Sequence, residues 1–489
     1  MRTGVNGNLY ELLRAQFGGA LDQPFLVPTT GEAVSYRDID DRSARFSGVL
    51  RNREVTPGDR VVVQNRKSID AVALYLACLR AGAVFVPLNT NYVAAEVEFF
   101  LDDSGPALFV HEPEQPSYGS DVPATTMNEL SAEADNTPPS AAVETRLADD
   151  LAAILYTSGT TGRSKGAMLT HANLASNALT LHRIWRFVPG DILLHILPIF
   201  HVHGLFVALH TAMLNASTVH FLDRFDVDAA LDRLPESTVM MGVPTHYSRL
   251  LADPRFTSEL AASMRLFTSG SAPMTAQLHR DFTDRTGHAI VERYGMTETG
   301  MITSNPYDGD RVPGTVGFPL PAVDVRIVDD HGGVCEPGES GVVEVRGPNV
   351  FAGYWRLPEK TEAETHDGWF ITGDVGTRDA EGRLTLEGRS SDMVISGGLN
   401  VYPREIEALL DEVEGVIESA VVGVPDDDLG EAVIAVIATD SMTDEAPLRH
   451  AIDTELARFK HPRRYEFVEE LPRNTMGKVQ KAVLRTRFA

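Results

Sequence analysis

The sequence predicts an α/β fold for most of the chain and a separate, smaller α+β domain at its C-terminal end. A chain of 489 residues suits one large unit plus a small one. Strand and helix signals alternate at 59–88 and again from 151 to about 300, which is typical of mixed, largely parallel sheets flanked by helices. The pattern changes after Gly388-Arg389. We therefore expect a large domain over 1–389 and a small one over 390–489.

The first predicted unit of the large domain lies at residues 59–88. A short β-branched run at Asp59–Gln64 predicts a strand, and the apolar spacing of Ile69–Ala81, followed by Gly82, predicts a helix. A second strand is predicted at Ala83–Leu88. Since strand, helix and strand follow one another closely, we expect a right-handed crossover between two parallel strands.

The middle of the chain contains one segment that we predict to lie outside the core. From about Glu112 to Asp150 the sequence is rich in proline, serine, alanine and acidic residues, which indicates a long surface excursion. The apolar run Leu151–Leu155 then predicts a buried strand. We interpret Met264–Leu266 as the end of a later strand, just before the small residues of Phe267–Pro273.

The C-terminal segment carries its own mixture of signals. The predicted elements are a helix near Pro403–Leu410, strands near Ile417–Val422 and Ala432–Ala438, a helix near Leu448–Phe459 and a strand near Tyr465–Val468. About 100 residues are enough for a separate α+β domain. The sequence shows no internal repeat.

Composition limits the classes of function. The formal net charge of −26 argues against nucleic acid and anionic membranes as partners, because both are negatively charged. Charges interrupt the apolar runs well before the ~20 residues that span a membrane, and the N-terminus lacks an apolar signal core. The two cysteines, Cys78 and Cys335, are interpreted as buried or incidental thiols. We therefore expect a cytoplasmic protein.

The most informative motif is the segment Tyr156–Gly166, which is rich in glycine, serine and threonine and follows a predicted strand. Its glycines let backbone N–H groups approach a polyphosphate, its hydroxyls add donors, and Lys165 supplies countercharge. The spacing is not that of a P-loop, and a flexible surface turn is the alternative interpretation. In so acidic a chain, the anion site must be a local basic island, built from residues such as Lys165, Arg293, Arg389 and Lys478.

Two later segments carry side chains suited to a nucleotide. Small residues in Phe267–Pro273 can form a flat wall for a planar ring. In Glu292–Thr299, Tyr294 can stack on a base, Thr297 can contact a phosphate and Glu298 can bind Mg²⁺. Taken alone, an acid such as Glu298 is more often a solvated surface residue.

Two further polar residues lie nearer the C-terminus. Asp374 ends the segment Trp369–Asp374 and can bind both ribose hydroxyls, although aspartate at a turn more commonly stabilises the turn itself. Lys478 lies in a polar loop bounded by glycine, where most lysines are only solvated.

Together these motifs resemble those of the acyl-adenylate-forming superfamily, which includes acyl-CoA synthetases, peptide-synthetase adenylation domains and firefly luciferase. The resemblance extends from about residue 35 to the last few residues. It implies that a carboxylate attacks the α-phosphate of ATP in the presence of Mg²⁺, and that diphosphate leaves. The thiol of coenzyme A then takes the acyl group from the adenylate and releases AMP. A mobile C-terminal domain is also implied.

The resemblance assigns nucleotide-binding roles to individual residues. The grip on the β- and γ-phosphates is assigned to Thr157, Ser158, Gly159, Thr160, Thr161, Gly162 and Lys165, with Thr157 also expected to be catalytic. The adenine site is assigned to Ser271, Ala272, Tyr294 and Gly295. Thr297 is assigned to the α-phosphate, Glu298 to catalysis and Mg²⁺ binding, and Asp374 with Arg389 to the ribose.

The remaining roles belong to the acid and to coenzyme A. His201 resembles the gate beside the acyl carboxylate, and Met301 is expected to line the same site. Lys478 resembles the catalytic lysine that serves only the first half-reaction. Gly397 and Gly398 resemble the loop that lines the tunnel for the pantetheine arm.

Two further expectations concern the hinge that the resemblance implies and the charge of Lys478. The family hinge falls at Ser391, where many relatives carry aspartate or lysine, and Asp392 is the neighbouring alternative. Acetylation of Lys478 would remove its charge and is a possible means of regulation.

Arg293 bears on the identity of the acid. Its guanidinium can bind a second carboxylate in bidentate fashion, and an ion pair with neighbouring Glu292 is an equally good interpretation of the residues alone. Five segments resemble malonyl-CoA synthetases, namely Phe200–Phe206, Met241–Thr245, Ser304–Gly314, Asn349–Arg356 and Leu471–Lys481. That resemblance implies malonate, often also methylmalonate, as the acid. Gly300 and Ile302 depart from the polar residues of comparable members.

Several alternatives remain open at this point. The acid could be another short- or medium-chain or aromatic acid, and the acyl group could be loaded onto a carrier protein. A non-catalytic ATP-binding scaffold is disfavoured because Lys165, Glu298, Asp374, Arg389 and Lys478 all occur together. A luciferase-like oxygenase has no positive support in the sequence.

Overall fold

The computed structural model describes residues 6–113, 122–157, 164–396, 399–426, 429–439, 444–456, 458–474 and 477–489. Its α-helices are α1 (Leu9–Phe17), α2 (Tyr36–Asn52), α3 (Ile69–Ala81), α4 (Ala94–Ser104), α5 (Met127–Asp135), α6 (His171–Ile184), α7 (His210–Leu214), α8 (Val227–Arg233), α9 (Pro244–Ala252), α10 (Ala276–Thr286), α11 (Pro358–Ala363), α12 (Pro403–Leu410), α13 (Glu445–Glu455) and α14 (Lys481–Phe488). A π-helix lies at His203–Leu209, and short 3₁₀ turns lie at Gly18–Ala20, Leu234–Glu236, Ser390–Asp392 and Arg458–Lys460.

The strands are β1 (Pro24–Pro28), β2 (Val34–Ser35), β3 (Arg60–Gln64), β4 (Val84–Pro87), β5 (Leu108–His111), β6 (Ala124–Thr126), β7 (Leu151–Thr157), β8 (Lys165–Thr170), β9 (Ile192–His195), β10 (Thr218–Phe221), β11 (Val239–Gly242), β12 (Leu266–Ser269), β13 (Val291–Met296), β14 (Gly300–Ser304), β15 (Phe318–Pro319), β16 (Asp324–Val328), β17 (Gly341–Arg346), β18 (Thr365–His366), β19 (Trp369–Arg378), β20 (Leu384–Arg389), β21 (Val394–Ser396), β22 (Leu399–Val401), β23 (Val416–Asp426), β24 (Gly430–Thr439) and β25 (Arg464–Val468).

A nine-stranded sheet forms the centre of the N-terminal part, with the strand order β15-β14-β13-β12-β11-β9-β10-β1-β2. The strands from β13 to β1 pair in parallel, whereas the outer pairs are antiparallel. Because β9 to β12 run parallel, their carboxyl ends at His195, Phe221, Gly242 and Ser269 lie along one edge. Such an edge is the usual place for a ligand site in an α/β sheet.

A six-stranded sheet packs beside it, in the order β6-β5-β3-β4-β7-β8, with only β7 and β8 antiparallel. The predicted parallel pair of β3 and β4 is confirmed, with α3 as the crossover helix. The Ser68 side chain caps the start of α3 by accepting from the Ala71 amide. Gly82 ends the helix in the left-handed region, with φ of 70°.

Two smaller sheets follow along the chain. The first is antiparallel and has the order β16-β17-β19-β18, with β20 paired to β19. The second belongs to the C-terminal unit and has the order β22-β21-β24-β23, with β25 parallel to β24. The predicted fold class is confirmed: mixed, largely parallel sheets flanked by helices, followed by a small α+β unit.

The hydrophobic cores follow the same division. The largest cluster joins residues from Leu9 to Leu386, and two further clusters join only residues between Val394 and Phe488. The small unit therefore has apolar cores of its own. The boundary between 389 and 390 stays a prediction, because packing does not define a single residue as the border.

The interpretation of residues 112–150 as a surface excursion was wrong for part of that segment. Strand β6 pairs with β5, and α5 follows it with Leu130 and Ala134 fully buried. A capping box of Thr126 and Glu129 starts this helix. The helix was not predicted because its few apolar residues stand among acidic residues and alanines.

Two predicted boundaries also differ from the structure. Met264–Leu266 is not a strand end, because β12 begins at Leu266 and continues to Ser269. The last long helix, α13, ends at Glu455, and a 3₁₀ turn at Arg458–Lys460 takes the place of its predicted final turn. Strands and helices are in the predicted order, and their ends are the part that local patterns define least.

Both cysteines are free thiols, and Cys78 is buried in α3. Among the described helices, none combines the length and the apolar character that crossing a bilayer would require.

Candidate active site

Asp374 and Arg389 are brought together by strand pairing. They are opposite each other in the antiparallel pair β19 and β20, and Arg389 Nε lies 2.7 Å from Asp374 Oδ1. The hydroxyl of Tyr294 donates to the other carboxylate oxygen of Asp374. Burial raises the pKa of the Tyr294 phenol, so this hydroxyl keeps its proton and remains a donor. The predicted ribose pair thus forms one group with the predicted adenine-stacking residue.

A second group surrounds the carboxylate of Glu298, which is 5% exposed. The Tyr354 hydroxyl lies 3.0 Å from Glu298 Oε1 and 2.7 Å from Glu364 Oε2, and it has one proton to donate. Thr157 Oγ1 lies 3.4 Å from Glu298 Oε1. Lys165 Nζ lies 3.3 Å from Glu364 Oε1 and 4.2 Å from the centre of the Tyr354 ring.

This group suits a divalent cation. Burial raises the pKa of Glu298, and within the described residues no lysine or arginine lies at ion-pair distance from its carboxylate. A nearby cation would offset the cost of keeping that charge buried. The described residues contain no cluster of three or more metal-ligating side chains. Mg²⁺ bound by one carboxylate and by substrate phosphates needs no such cluster.

Lys478 of the small unit lies near the first of these groups. Its loop is closed by hydrogen bonds between Lys478 and Asn474, from the Lys478 amide to Asn474 Oδ1 at 3.0 Å and from the Asn474 amide to Lys478 O at 2.9 Å. A Cβ at Gly477 would lie 3.1 Å from Thr245 Oγ1 at the start of α9. Lys478 is exposed, yet surrounding protein and nearby Arg389 lower the pKa of its ammonium, while Asp374 opposes the shift. The structure therefore brings Lys478 towards the Asp374–Arg389 pair.

Arg293 is the side chain whose surroundings are most unusual for its type. It is 3% exposed, and its Nε and Nη2 atoms are buried without a hydrogen-bond partner among the described residues. Burial lowers its pKa to about 10, so the guanidinium is still charged at neutral pH. A Cβ at Gly270 would lie only 2.4 Å from Nη1, so the guanidinium occupies the space that glycine leaves.

Glu292 does not pair with Arg293. Successive residues of a strand point to opposite faces, and Glu292 accepts instead from the Gly314 amide at 3.1 Å. Burial raises the pKa of Glu292 to about 8, and Arg404 of the small unit acts against this shift. The interpretation of Arg293 as an ion pair with its neighbour was therefore wrong.

His203 lies near the guanidinium, and His201 lies near His203. His201 and His203 have buried Nε2 atoms without a partner in the described structure, and His203 Nδ1 lies 3.4 Å from the Ser271 hydroxyl. Burial lowers the pKa of His201 to about 4. Burial, followed by the field of Arg293, holds the pKa of His203 well below its usual range. Both rings are therefore neutral at pH 7, and Arg293 supplies the positive charge.

The remaining predicted residues lie on or next to β12, β13 and β14. Ser271 adopts φ of 68°, a backbone conformation that non-glycine residues rarely take, and Ala272 follows it. Met301 is 3% exposed on β14, and a Cβ at Gly295 would lie 2.8 Å from its Cε. Thr297 lies in the turn between β13 and β14.

Some predicted residues lie outside the described structure, namely Ser158, Gly159, Thr160, Thr161, Gly162, Gly397 and Gly398. The hinge candidates lie in the 3₁₀ turn Ser390–Asp392, where Asp392 pairs with Arg485 at 3.1 Å. This ion pair does not distinguish Ser391 from Asp392, so the position of the hinge stays a prediction.

Sequence reasoning missed three residues of the site. Tyr354 and Glu364 contact the Glu298 group, and Gly270 makes room for Arg293. Tyr354 was noted only as part of a family segment, and Glu364 lies in an acidic stretch that resembles any solvated surface. The position of Gly270 directly before Ser271 was the one available signal.

Comparison with known proteins agrees with this arrangement. Residues 13–355 match the model of the AMP-binding enzyme family, and residues 405–478 match that of the AMP-binding enzyme C-terminal domain. A feruloyl-CoA synthase from Amycolatopsis sp. is 37% identical, with 94% of each chain covered. A malonate–CoA ligase from Arabidopsis thaliana is 34% identical, with 98% of this chain and 89% of the relative covered.

A solved structure extends the likeness to the whole fold. The crystal structure of ATP-bound MatB from Rhodopseudomonas palustris is 49% identical, covers 99% of both chains and superposes with a TM-score of 0.94. The chain therefore belongs to the AMP-binding enzyme family and is a CoA ligase of the acyl-adenylate-forming type.

Proposed function

We propose that the protein is a malonate–CoA ligase that uses ATP, Mg²⁺ and coenzyme A and releases AMP and diphosphate. The observation that carries the choice of acid is Arg293, a buried guanidinium with two donor atoms that have no partner in the described part of the chain. A group of this kind is costly to bury alone, and a carboxylate offers two acceptors in matching geometry. In an acid with two carboxylates, one can pair with the Arg293 guanidinium while the other reacts.

The first half-reaction joins two anions. One malonate carboxylate attacks the α-phosphorus of ATP, a P–O bond to diphosphate breaks, and an acyl-adenylate forms. No general base is needed, because a carboxylic acid is ionised at pH 7. Mg²⁺ on Glu298 would offset the charge of the phosphates, and Thr157 and Lys165 face the same space.

Lys478 supports this step from the small unit. In the present arrangement its ammonium lies in the field of Asp374 and Arg389, beside the proposed ribose site. A fixed cation at the α-phosphate stabilises the charge that develops as diphosphate leaves. Asp374, held by Arg389 and Tyr294, orients the nucleotide for that attack.

The second half-reaction transfers the acyl group to sulfur. The CoA thiol attacks the acyl carbon of the adenylate, the bond to AMP breaks, and the thioester forms. Lys478 belongs to the small unit, and neighbouring Gly477 approaches Thr245 of the large one, so we propose that the small unit turns about Ser390–Asp392 to admit the thiol.

The malonate assignment draws support from the relatives as well as from Arg293. A relative from Arabidopsis thaliana and one from mouse are malonate–CoA ligases at 34% and 35% identity. The feruloyl-CoA synthase is as similar in sequence, so a bulky aromatic acid is the competing substrate. Ferulate has only one carboxylate, the one that reacts, so Arg293 would be left without a carboxylate partner.

The test is a diphosphate-release assay with malonate, methylmalonate, succinate, propionate, benzoate and ferulate, in the presence of ATP, Mg²⁺ and coenzyme A. We expect the highest kcat/KM with malonate or methylmalonate, with AMP as the nucleotide product. Ferulate as the best substrate would contradict the choice of acid, and ADP with orthophosphate would contradict the reaction itself.

Arg293→Ala gives a second arm of the test. It removes the proposed partner of the distal carboxylate, so kcat/KM for malonate falls by about tenfold to hundredfold. The KM for ATP and the turnover of propionate, which has no distal carboxylate, stay close to those of the wild type. Unchanged kcat/KM for malonate in this variant would contradict the proposed role.

A further inference from the structure

Lys67 lies outside the groups described so far, at the junction of the two largest sheets. It follows β3 of the six-stranded sheet and directly precedes Ser68, the cap of α3. Its Nζ lies 2.7 Å from Nδ1 and 2.9 Å from the carbonyl oxygen of His195, the last residue of β9 in the nine-stranded sheet. The ammonium also stands 4.3 Å from the centre of the Phe221 ring.

Lys67 has no carboxylate at ion-pair distance within the described part of the chain. Burial lowers its pKa, and Asp223 acts against the shift from further away. A lysine kept in such surroundings needs its hydrogen bonds, because the Phe221 ring alone does not replace the lost hydration of a buried amine. Two of these bonds go to His195.

The partners of His195 define its protonation. Nε2 lies 2.9 Å from the Gly204 carbonyl oxygen, and a carbonyl only accepts, so Nε2 carries the proton. Nδ1 is then unprotonated and accepts from Lys67. A proton on Nδ1 would oppose the ammonium, and burial and Lys67 hold the pKa of His195 well below its usual range. The ring is thus neutral, with one tautomer and one orientation.

Gly204 belongs to the first turn of the π-helix His203–Leu209. A Cβ at Gly204 would lie 2.0 Å from Pro198 O, so the backbone is tightly confined on that side as well. The preceding residue, His203, approaches Ser271 and lies in the field of Arg293. π-Helical turns are uncommon and are often found at functional sites, where they aim a particular side chain.

We propose that Lys67 and His195 are positioning residues for the acid: Lys67 holds the His195 ring, and His195 holds the Gly204 carbonyl and thereby the π-helical turn that presents His203 to the Arg293 pocket. This inference rests on the proposed function for the location of the acid. It assigns to a contact between two sheets a role in substrate binding.

The kinetic test uses His195→Leu, His195→Gln and Lys67→Met, with His220→Leu as the matched control. His220 is a buried histidine on neighbouring β10 that bonds Ser237 and not the π-helix. We expect His195→Leu and Lys67→Met to raise KM for the acid by about tenfold or more while KM for ATP is retained. His195→Gln recovers part of the loss, because its amide places a donor near the position of Nε2.

The outcomes separate positioning from general stability. If KM for the acid is unchanged in His195→Leu and Lys67→Met, the proposal is wrong. It is equally wrong if KM for ATP rises in parallel, or if His220→Leu raises KM for the acid as much. The assay uses whichever carboxylate the wild type turns over best. The choice of malonate is therefore tested on the wild type, and the positioning role is tested on the variants.

A spectroscopic measurement on the wild type tests the protonation of His195 even if the variants do not fold. In ¹⁵N-histidine-labelled wild type, the signals of His195 should show protonated Nε2 and unprotonated Nδ1, with no titration between pH 5 and 9. A doubly protonated ring or the opposite tautomer would overturn the proposal. In Lys67→Met, the Nδ1 signal should move to that of a nitrogen without a donor.

Discussion

Gly270 and the guanidinium of Arg293 occupy complementary space: a Cβ at residue 270 would lie 2.4 Å from Nη1 and 2.5 Å from Cζ of Arg293. The two residues come from different elements, since Gly270 directly follows β12 and Arg293 belongs to β13. Arg293 can reach the pocket in this pose only because residue 270 has no side chain.

Gly270→Ala should therefore displace the guanidinium and impair binding of the acid. We expect kcat/KM for malonate to fall by about tenfold or more, with KM for ATP little changed, because one buried charge contact is lost. Steady-state kinetics at saturating ATP measures the effect. Gly19→Ala is the control, since a Cβ there meets nothing within 4 Å. Equal kcat/KM in the two variants would contradict the proposed contact.

Lys478→Ala should separate the two half-reactions. Loss of one preorganised cation costs about 10²–10³ in the rate of adenylate formation. Thioester formation from supplied malonyl-adenylate and CoA should stay near the wild-type rate. Single-turnover assays of each half-reaction give both rates, and Lys478→Gln mimics acetylation.

Lys460→Ala is the matched control for this prediction, because Lys460 is a lysine of the small unit that pairs with Glu405. It should leave both half-reactions near the wild-type rates. Loss of both half-reactions in Lys478→Ala to the same extent would mean that Lys478 is not specific to the first.

Tyr354→Phe should weaken the use of Mg²⁺. The Tyr354 hydroxyl lies 3.0 Å from Glu298 Oε1 and favours the ionised carboxylate, so its removal raises the pKa of Glu298 further. We expect the Mg²⁺ concentration for half-maximal rate to rise by about tenfold, and the acidic limb of the pH–rate profile to move to higher pH. A wild-type Mg²⁺ dependence in this variant would contradict the assignment.

Tyr465→Phe serves as the control for the Tyr354 variant, since Tyr465 packs in the core of the small unit, away from the Glu298 group. Its Mg²⁺ dependence should match that of the wild type.

Glu292→Gln should change how stability depends on pH. Burial raises the pKa of this carboxyl to about 8, above its value in the unfolded chain. Between the two pKa values the folded state binds the extra proton, so the stabilising contribution is complete at low pH and is lost as pH rises towards 8. Each pH unit in this window costs the wild type about 1.4 kcal/mol relative to Glu292→Gln.

Melting temperatures of wild type and Glu292→Gln from pH 5 to 9 measure this difference. The wild type should lose stability relative to the variant as pH rises, whereas exposed Glu32→Gln should follow the wild type. A constant difference between wild type and Glu292→Gln at all pH values would mean that Glu292 titrates normally.

The sequence predicts the fold well where several local signals agree. The unit of β3, α3 and β4 has β-branched strands, a serine cap and a terminal glycine, and its parallel pairing follows from the crossover. Helix α5 was missed because its buried Leu130 and Ala134 stand among acidic residues. Apolar periodicity over so short a segment is too weak to predict a helix where the composition indicates a surface segment.

The site shows a similar limit. Asp374 and Arg389 were predicted as a pair and Tyr294 separately. The pairing of β19 with β20 joins Asp374 to Arg389, and the Tyr294 hydroxyl donates to Asp374. Tyr354 and Glu364 could not be predicted as their partners, because tyrosine and glutamate have many ordinary uses. Whether Arg293 faces Glu292 or a ligand depends on strand orientation, which the residue types alone leave open.

The ion pair between Lys165 and Glu364 has a consequence for the order of release. In the proposed role, Lys165 exchanges this carboxylate for the terminal phosphates of ATP, so Glu364 acts as an internal substitute for the leaving group. Once diphosphate has departed, the remaining nucleotide offers no phosphate at that position, and the lysine returns to Glu364. On this proposal, diphosphate would have to displace Glu364 from Lys165 before the first step could reverse.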